Sequence, residues 1–145
     1  MQDITLDEVL YFWIDKANKQ VRQKSQQVFR EKGIDITVDQ WLVLKKVSDN
    51  AGNANQSELA SLVAKDTASV TRILDHLVKK ELVLREPSPT DRRSFVIRMT
   101  SQGHARYQEI LPVVRDLRAK GLHGINEQQI EVTRQVLQKV IGNME

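Results

Sequence analysis

Apolar side chains recur at helical spacing near the start of the chain. Five of them lie at intervals of three or four residues and so share one helix face: Leu6, Leu10, Trp13, Ala17 and Val21. A capping box at Thr5–Glu8 predicts the start of this helix, and Gly33 predicts its end at about Lys32. Further apolar residues widen the stripe, so the helix needs two surfaces to pack against. We predict a second copy of the chain as one of them; complete burial within a monomer is the alternative.

A second helix is predicted to begin at Thr37, which forms a capping box with Gln40. Its predicted inward-facing residues are Trp41, Leu42, Leu44 and Val47. A turn-rich loop follows at 49–53. Trp13 and Trp41 are predicted to lie in the core, and the alternative is that they line an effector pocket between the first helix and the following domain.

Two short helices joined by a tight turn are predicted between Asn55 and Lys80. Asn55 and Glu58 form a capping box for the first, whose apolar residues are Leu59, Leu62 and Val63. Asp66 is placed to cap the second. That second helix has an apolar stripe at positions i, i+3, i+4 and i+7, which predicts a core-facing side: Val70, Ile73, Leu74 and Leu77.

The opposite side of this second helix is polar. Short hydrogen-bonding groups near a helix N-terminus suit contact with base edges in the major groove. An ordinary amphipathic surface helix is an equally good interpretation of this element alone. The candidate DNA-contacting residues are Ala68, Ser69, Thr71, Arg72, Asp75, His76 and Lys79. We expect Asp75 to orient Arg72 one turn away.

Two strand-like runs follow, at 82–85 and 95–99, and Phe95, Ile97 and Met99 alternate onto one face of the second. The loop between them contains two prolines and the sequence Asp91-Arg92-Arg93. An arginine pair on a stiff loop suits insertion into a narrow minor groove, and Asp91 is expected to hold Arg93. A solvated turn is the alternative. Helix, turn, helix and hairpin together predict a winged helix.

The remainder of the chain is predicted to be helical. One helix runs from Thr100 to about Gly121 with a kink at Pro112, and a break extends to Gly124. The last helix is capped at Asn126, and its apolar residues are Ile130, Leu137, Val140, Ile141 and Met144. The predicted fold is therefore mainly α with a small β-hairpin. A winged-helix lobe at 34–100 lies between dimerisation helices at 1–33 and 101–145.

Positive charge is concentrated on the predicted winged helix. The net charge is only +3, but nine Lys or Arg face five Asp or Glu between Lys65 and Arg106, against thirteen and fourteen elsewhere. Such an excess is the electrostatic footprint of nucleic-acid binding. The chain has no cysteine, which excludes disulfides and thiol sensing. His76, His104 and His123 lack metal-ligand spacing, so no metal or cofactor is expected. We expect a cytoplasmic protein without enzymatic activity, because signal-peptide and catalytic motifs are lacking.

The stretch from Gln56 to Gly103 resembles the winged-helix domain of the MarR family of bacterial transcription factors. The motifs that carry the resemblance are ELA, ASVTRILDHLVKKELVLRE, DRRS and TSQG. Two residues depart from the family pattern. Met99 replaces a usual leucine, and Glu81 replaces a common glycine, so the preceding helix is expected to end slightly differently.

The predicted function is that of a dimeric, sequence-specific transcription regulator. Its partners would be an inverted-repeat DNA operator, a second copy of the chain and a small-molecule effector of unknown identity. The resemblance implies that the effector modulates DNA affinity, with repression as the favoured outcome. A winged-helix module that contacts proteins without reading DNA is the alternative, although such a module would be expected to expose an apolar patch in place of these arginines.

Overall fold

The computed structural model describes residues 1–50, 55–63 and 65–145. Within these residues the chain forms one 3-10 turn, six α-helices and a two-stranded antiparallel hairpin, which confirms the predicted fold class. The 3-10 turn is Leu6–Glu8, and the other elements are α1 Leu10–Glu31, α2 Val38–Asp49, α3 Gln56–Leu62, α4 Thr67–Lys79, β1 Val83–Pro87, β2 Phe95–Met99, α5 Ser101–Gly121 and α6 Glu127–Asn143. The loop predicted at 49–53 lies partly outside the described residues.

The first helix begins later than predicted. The capping box of Thr5 and Glu8 opens only the 3-10 turn, because Val9 is extended at φ −82° and ψ 113° and interrupts the helix. The turn is held against α1 by Trp13, whose Nε1 donates to the Asp7 carbonyl at 2.7 Å. The predicted end holds, since α1 stops at Glu31 and Gly33 is left-handed at φ +67°.

The winged-helix core is built from apolar faces of α1, α2, α3, α4, the hairpin and the first part of α5. Its fully buried members are Phe29, Ile36, Leu44, Leu59, Leu74, Leu77, Ile97, Ile110, Val43, Val70 and Val83. The predicted stripe on α4 is thus confirmed for Val70, Leu74 and Leu77. Asn55, predicted to open α3, also bridges to Val96, which joins α3 to β2.

Several predicted core positions are exposed. Trp41 is 4% exposed and stacks on Tyr107 with ring centroids 5.0 Å apart, but Trp13 is 47% exposed, so the prediction was wrong for Trp13. Leu42 and Leu62 also face outward, whereas Val43 is buried. Successive side chains of an α-helix point in directions that differ by about 100°. A neighbouring apolar residue can therefore point inward in place of the predicted one.

The C-terminal end of α4 adopts the geometry that glycine usually provides. Glu81 is left-handed at φ +62°, and its amide donates to the Val78 carbonyl at 2.9 Å. The Leu82 amide donates to the Leu77 carbonyl at 3.0 Å. These two bonds are those of a Schellman motif, so the helix ends normally although Glu81 replaces glycine.

The start of α5 is fixed against the end of α4. The Thr100 amide donates to the Leu82 carbonyl at 3.0 Å, and the Thr100 hydroxyl lies 2.6 Å from the Glu81 carbonyl oxygen. The Gly103 amide donates to that hydroxyl at 2.9 Å. A Cβ on Gly103 would lie 2.0 Å from the Leu82 carbonyl oxygen, so this position requires glycine.

Asp35 adds a polar tie at the same end of α4. Its Oδ1 accepts from Arg106 of α5 at 3.0 Å, and its backbone carbonyl accepts from Lys80 at 2.6 Å. Partial burial acts to raise the pKa of Asp35, but the bonds and charges of Arg106 and Lys80 outweigh it, and the pKa is lowered. The carboxylate is therefore charged at neutral pH.

Residues 1–112 and 113–145 form two compact units. α5 begins in the first and ends in the second, which also contains α6, capped at Asn126 as predicted. Pro112, where a kink is predicted, is the last residue of the first unit. The division into a lobe at 34–100 and flanking dimerisation helices remains a prediction. Among the residues described, none of the helices has the length and hydrophobicity needed to cross a membrane.

Glu81→Gly is expected to stabilise the chain. An L-residue in the left-handed conformation costs roughly 1–2 kcal/mol, part of which glycine returns through its greater freedom when unfolded. A net gain of about 0.5–1 kcal/mol is expected in urea unfolding. The control is Lys79→Gly, at the exposed last residue of α4. Its free energy of unfolding should fall by about 1 kcal/mol. Destabilisation by both changes would contradict the assigned strain.

Gly103→Ala is expected to destabilise the chain by about 1–3 kcal/mol, because the new methyl group overlaps a backbone oxygen that cannot move freely. Gly121→Ala is the matched control, since a Cβ there meets nothing within 4 Å. Thermal unfolding should separate the two variants. Equal melting temperatures for both would show that α5 can shift away from Leu82 without cost.

Candidate nucleic-acid interface

The helix α4 has one buried and one solvent-facing side. Of the residues predicted to contact DNA, Ser69 and Thr71 are half-buried and the others on this helix are exposed: Ala68, Arg72, Asp75, His76 and Lys79. The buried side packs against α2 and α3, so the helix is supported from behind. The exposed side can therefore be presented to a partner without loss of the core.

Asp66 fixes the first turn of α4. Its Oδ1 accepts from the Ser69 amide and its Oδ2 from the Ser69 hydroxyl, both at 2.8 Å. The Ser69 amide bond, then the hydroxyl bond and the charge of Arg72, lower the pKa of Asp66. Within the described residues, Arg72 makes a single hydrogen bond, a long contact of 3.5 Å from its Nη2 to the Ser69 hydroxyl. Most of its guanidinium donors therefore have no acceptor in that part of the chain.

The expectation that Asp75 orients Arg72 was wrong. Asp75 Oδ1 accepts instead from Arg85 Nη2 of β1 at 2.6 Å. Arg85 is held by two further acceptors, Gln56 Oε1 at 3.1 Å and the Thr71 carbonyl at 3.4 Å. Its guanidinium is thus held beside α4, and Arg85 takes the place of Arg72 as the partner of the Asp75 carboxylate.

Thr71 is engaged within the protein. Its hydroxyl donates to the Thr67 carbonyl at 2.9 Å and accepts from Gln56 Nε2, also at 2.9 Å. Gln56, Thr71, Asp75 and Arg85 form one polar cluster, which we call the Arg85 cluster. Sequence reasoning missed Gln56 and Arg85. A signal was present, because Arg85 shares a strand face with buried Val83, and an inward-facing arginine needs partners.

The hairpin loop, residues 88–94, is folded by its own polar groups. Asp91 Oδ1 accepts from the backbone amide of Arg93 at 2.9 Å, so Asp91 holds the loop backbone and not the Arg93 guanidinium that it was expected to hold. The Ser88 amide donates to the Ser94 carbonyl at 3.0 Å. Arg92 and Arg93 are both exposed on this ordered turn. β1 extends through Pro87, two residues beyond the predicted end of the strand.

A cleft of about 520 Å³ lies between the helix and the hairpin. It brings together three of the predicted residues, Thr71, Asp75 and Arg93, and its other lining residues are Gln56, Ser57, Thr67, Arg85, Ser94 and Phe95. Arg72, His76, Lys79 and Arg92 lie outside its lining. Phe95, predicted on the same strand face as Ile97, is exposed here, and it pairs with Pro87 next to the hairpin loop. The described residues contain no metal-ligand cluster.

Similar proteins are regulators of transcription. The repressor IacR from Pseudomonas putida is 25% identical over 135 residues, which cover 93% of this chain and 79% of IacR. A cysteine-to-serine mutant of MarR from E. coli in complex with operator DNA is 26% identical, with a TM-score of 0.80 over 96% of this chain and 99% of that one. A probable transcriptional regulator from Pseudomonas aeruginosa, also 26% identical, has a TM-score of 0.76 over 94% of this chain and 99% of that one.

The MarR family model matches residues 36–95. The match covers the winged-helix segment of the chain, which is similar to the MarR family. The matched segment extends from two residues before α2 to the first residue of β2. It contains all the residues predicted to contact DNA as well as the Arg85 cluster. The chain is a DNA-binding regulator of transcription. Which of its side chains contact DNA remains a prediction.

Proposed function

We propose that this protein is a homodimeric repressor that binds an inverted-repeat operator and releases it when a small molecule binds. The observation that carries the proposal is the pairing of an exposed α4 face, bearing Arg72, with an ordered hairpin loop bearing Arg92 and Arg93. A helix fits the major groove, and arginines fit a narrow minor groove beside it. The repressor name of IacR and the operator complex of E. coli MarR support this function.

Exposed apolar side chains on the two terminal regions support dimerisation. Those on the first region are Leu6, Leu10, Tyr11, Trp13 and Val21, and those near or on α6 are Leu122, Ile125, Val132, Val136, Ile141 and Met144. Surfaces of this kind are unfavourable in water and are normally covered by another chain. We assign residues 1–33 and 101–145 to the dimer interface, and residues 34–100 to the DNA-binding lobe.

Dimerisation imposes a spacing on the two α4 helices. Successive major grooves on one face of B-DNA are separated by roughly 34–36 Å, so the dimer binds an inverted repeat only when its helices match that distance. A small molecule that favours another spacing would release DNA without touching it. Its effect is limited by its differential affinity for the two states, typically about 1–3 kcal/mol.

A chain of charged contacts supports coupling between α1 and the helix-turn-helix. Asp39 of α2 pairs with Arg22 of α1, and its Oδ1 lies 3.4 Å from Lys65 Nζ. Lys65 immediately precedes Asp66, the residue that caps α4. A shift of α1 relative to α2 would therefore change contacts next to the start of α4. Because operators lie on chromosomal DNA, we place the protein in the bacterial cytoplasm.

Selection of bound duplexes from a random DNA pool tests the function directly. The intact chain should enrich an inverted repeat, and Arg72→Ala should relax the preference at one position of each half-site, costing about 1–3 kcal/mol there. A uniform loss over all sequences would place Arg72 on phosphate. Failure of the unmodified chain to enrich any sequence would favour the alternative of a protein-contact module.

The hairpin loop is tested by two substitutions at Asp91 and one at Arg93. Arg93→Ala should weaken operator binding and lower the salt dependence, since a minor-groove arginine also neutralises nearby phosphate. Asp91→Ala should weaken binding because the Arg93 amide loses its acceptor, whereas Asp91→Asn keeps an acceptor and should bind at least as tightly as the unmodified chain. Gel-shift titrations over a range of salt measure all three. Tighter binding by Asp91→Ala would show that the carboxylate only repels DNA.

A further inference from the structure

Arg85 is the only arginine in the described residues that contacts side chains on both helices of the helix-turn-helix. Its Nε donates to Gln56 of α3, and its Nη2 donates to Asp75 and to the Thr71 carbonyl of α4. Its side chain is 24% exposed, whereas that of Asp75 is 60% exposed. The arginine thus lies beneath the surface that carries the carboxylate.

Asp75 carries a negative charge, whereas a surface that faces DNA is expected to be positively charged. It lies on the exposed side of α4, one helical turn from Arg72, in a cleft that also contains Arg93. An unpaired carboxylate there would repel the phosphates that Arg72 and Arg93 approach. Paired with Arg85 at 2.6 Å, its charge is neutralised locally.

We propose that Arg85 is a positioning residue for DNA binding, which neutralises Asp75 and holds it away from the phosphates without itself contacting DNA. The proposal rests on the DNA-binding function stated above and identifies a residue through which it acts. Nε and Nη2 of Arg85 donate to groups on α3 and α4, so these donors are engaged within the helix-turn-helix. Arg72, by contrast, makes a single long hydrogen bond within the described residues.

The fork of arginine is required for this arrangement. One nitrogen reaches Gln56 while another reaches Asp75, and the planar guanidinium fixes both directions at once. A lysine at position 85 would offer a single ammonium on a flexible stem and could not keep both contacts in place. Gln56 completes the support, because it also donates to the Thr71 hydroxyl.

A double-mutant cycle tests the proposal on the dimer of the intact 145-residue chain. The variants are Arg85→Ala, Asp75→Asn and the combination, and the probe is the duplex that the unmodified chain selects from the random pool. Arg98→Ala is the matched control, because Arg98 lies on the other strand of the same hairpin and pairs with Glu86 across it. Affinity is measured at several salt concentrations, below the melting temperature of every variant.

Arg85→Ala is expected to weaken operator binding by roughly 10- to 100-fold, and Asp75→Asn added to it should recover most of that loss, as contacting pairs show couplings of this size. The salt slope, that is, the dependence of log affinity on log salt concentration, should be the same for Arg85→Ala as for the unmodified chain. The operator affinity of Arg85→Lys should lie between those of the unmodified chain and Arg85→Ala. Arg98→Ala should bind the operator as tightly as the unmodified chain.

Two results would overturn the proposal. A phosphate-contacting Arg85 would lower the salt slope by about 0.9 on loss of its charge. A purely structural Arg85 would lower the melting temperature, and Asp75→Asn would not restore affinity. If the unmodified chain selects no duplex, the DNA-binding function itself fails, which is distinct from either result.

Discussion

The Leu82 backbone is the joint on which the DNA-facing half of the molecule depends. Its amide closes the end of α4 by donating to Leu77, and its carbonyl accepts from Thr100 at the start of α5. Gly103 packs directly on that carbonyl because it has no Cβ. The hairpin leaves α4 and returns to α5 at this single point. The direction of the hairpin relative to α4 is therefore fixed by a few backbone bonds in addition to side-chain packing.

Polar contacts between side chains also restrict the orientation of the hairpin and α5 relative to α4. The Arg85 cluster ties the base of β1 to α3 and α4, and Asp35 ties the end of α4 to α5 through Lys80 and Arg106. Exposed ion pairs contribute little stability individually. These pairs have partners on different elements, so their effect is to restrict orientation. A surface that must match the spacing of DNA grooves benefits from such restriction more than from additional stability.

Two arginine classes emerge within one short segment. Arg85 is half-buried and donates to acceptors on α3 and α4, whereas Arg72, Arg92 and Arg93 lie on exposed surfaces of α4 and the hairpin loop. The same side chain therefore serves in one place to organise the interface and in the others to be available to a ligand. The apolar residues of α1 and α6 also fall into two groups. Some are covered within the chain, and the others are exposed.

The sequence by itself determined the elements, because their signals are local. The caps at Thr37, Asn55, Asp66 and Asn126 and the stripe of Val70, Leu74 and Leu77 depend on residues a few positions apart, and all were predicted. Only the tertiary structure decided the partners of Asp75 and the exposure of Trp13. Arg72 is three residues from Asp75 and Arg85 is ten, yet the hairpin brings Arg85 closer. Likewise the extended Val9 separates the 3-10 turn from α1, and the Trp13 side chain donates to the Asp7 carbonyl. Contacts between elements depend on how the chain returns in space, which the spacing of residues along it does not specify.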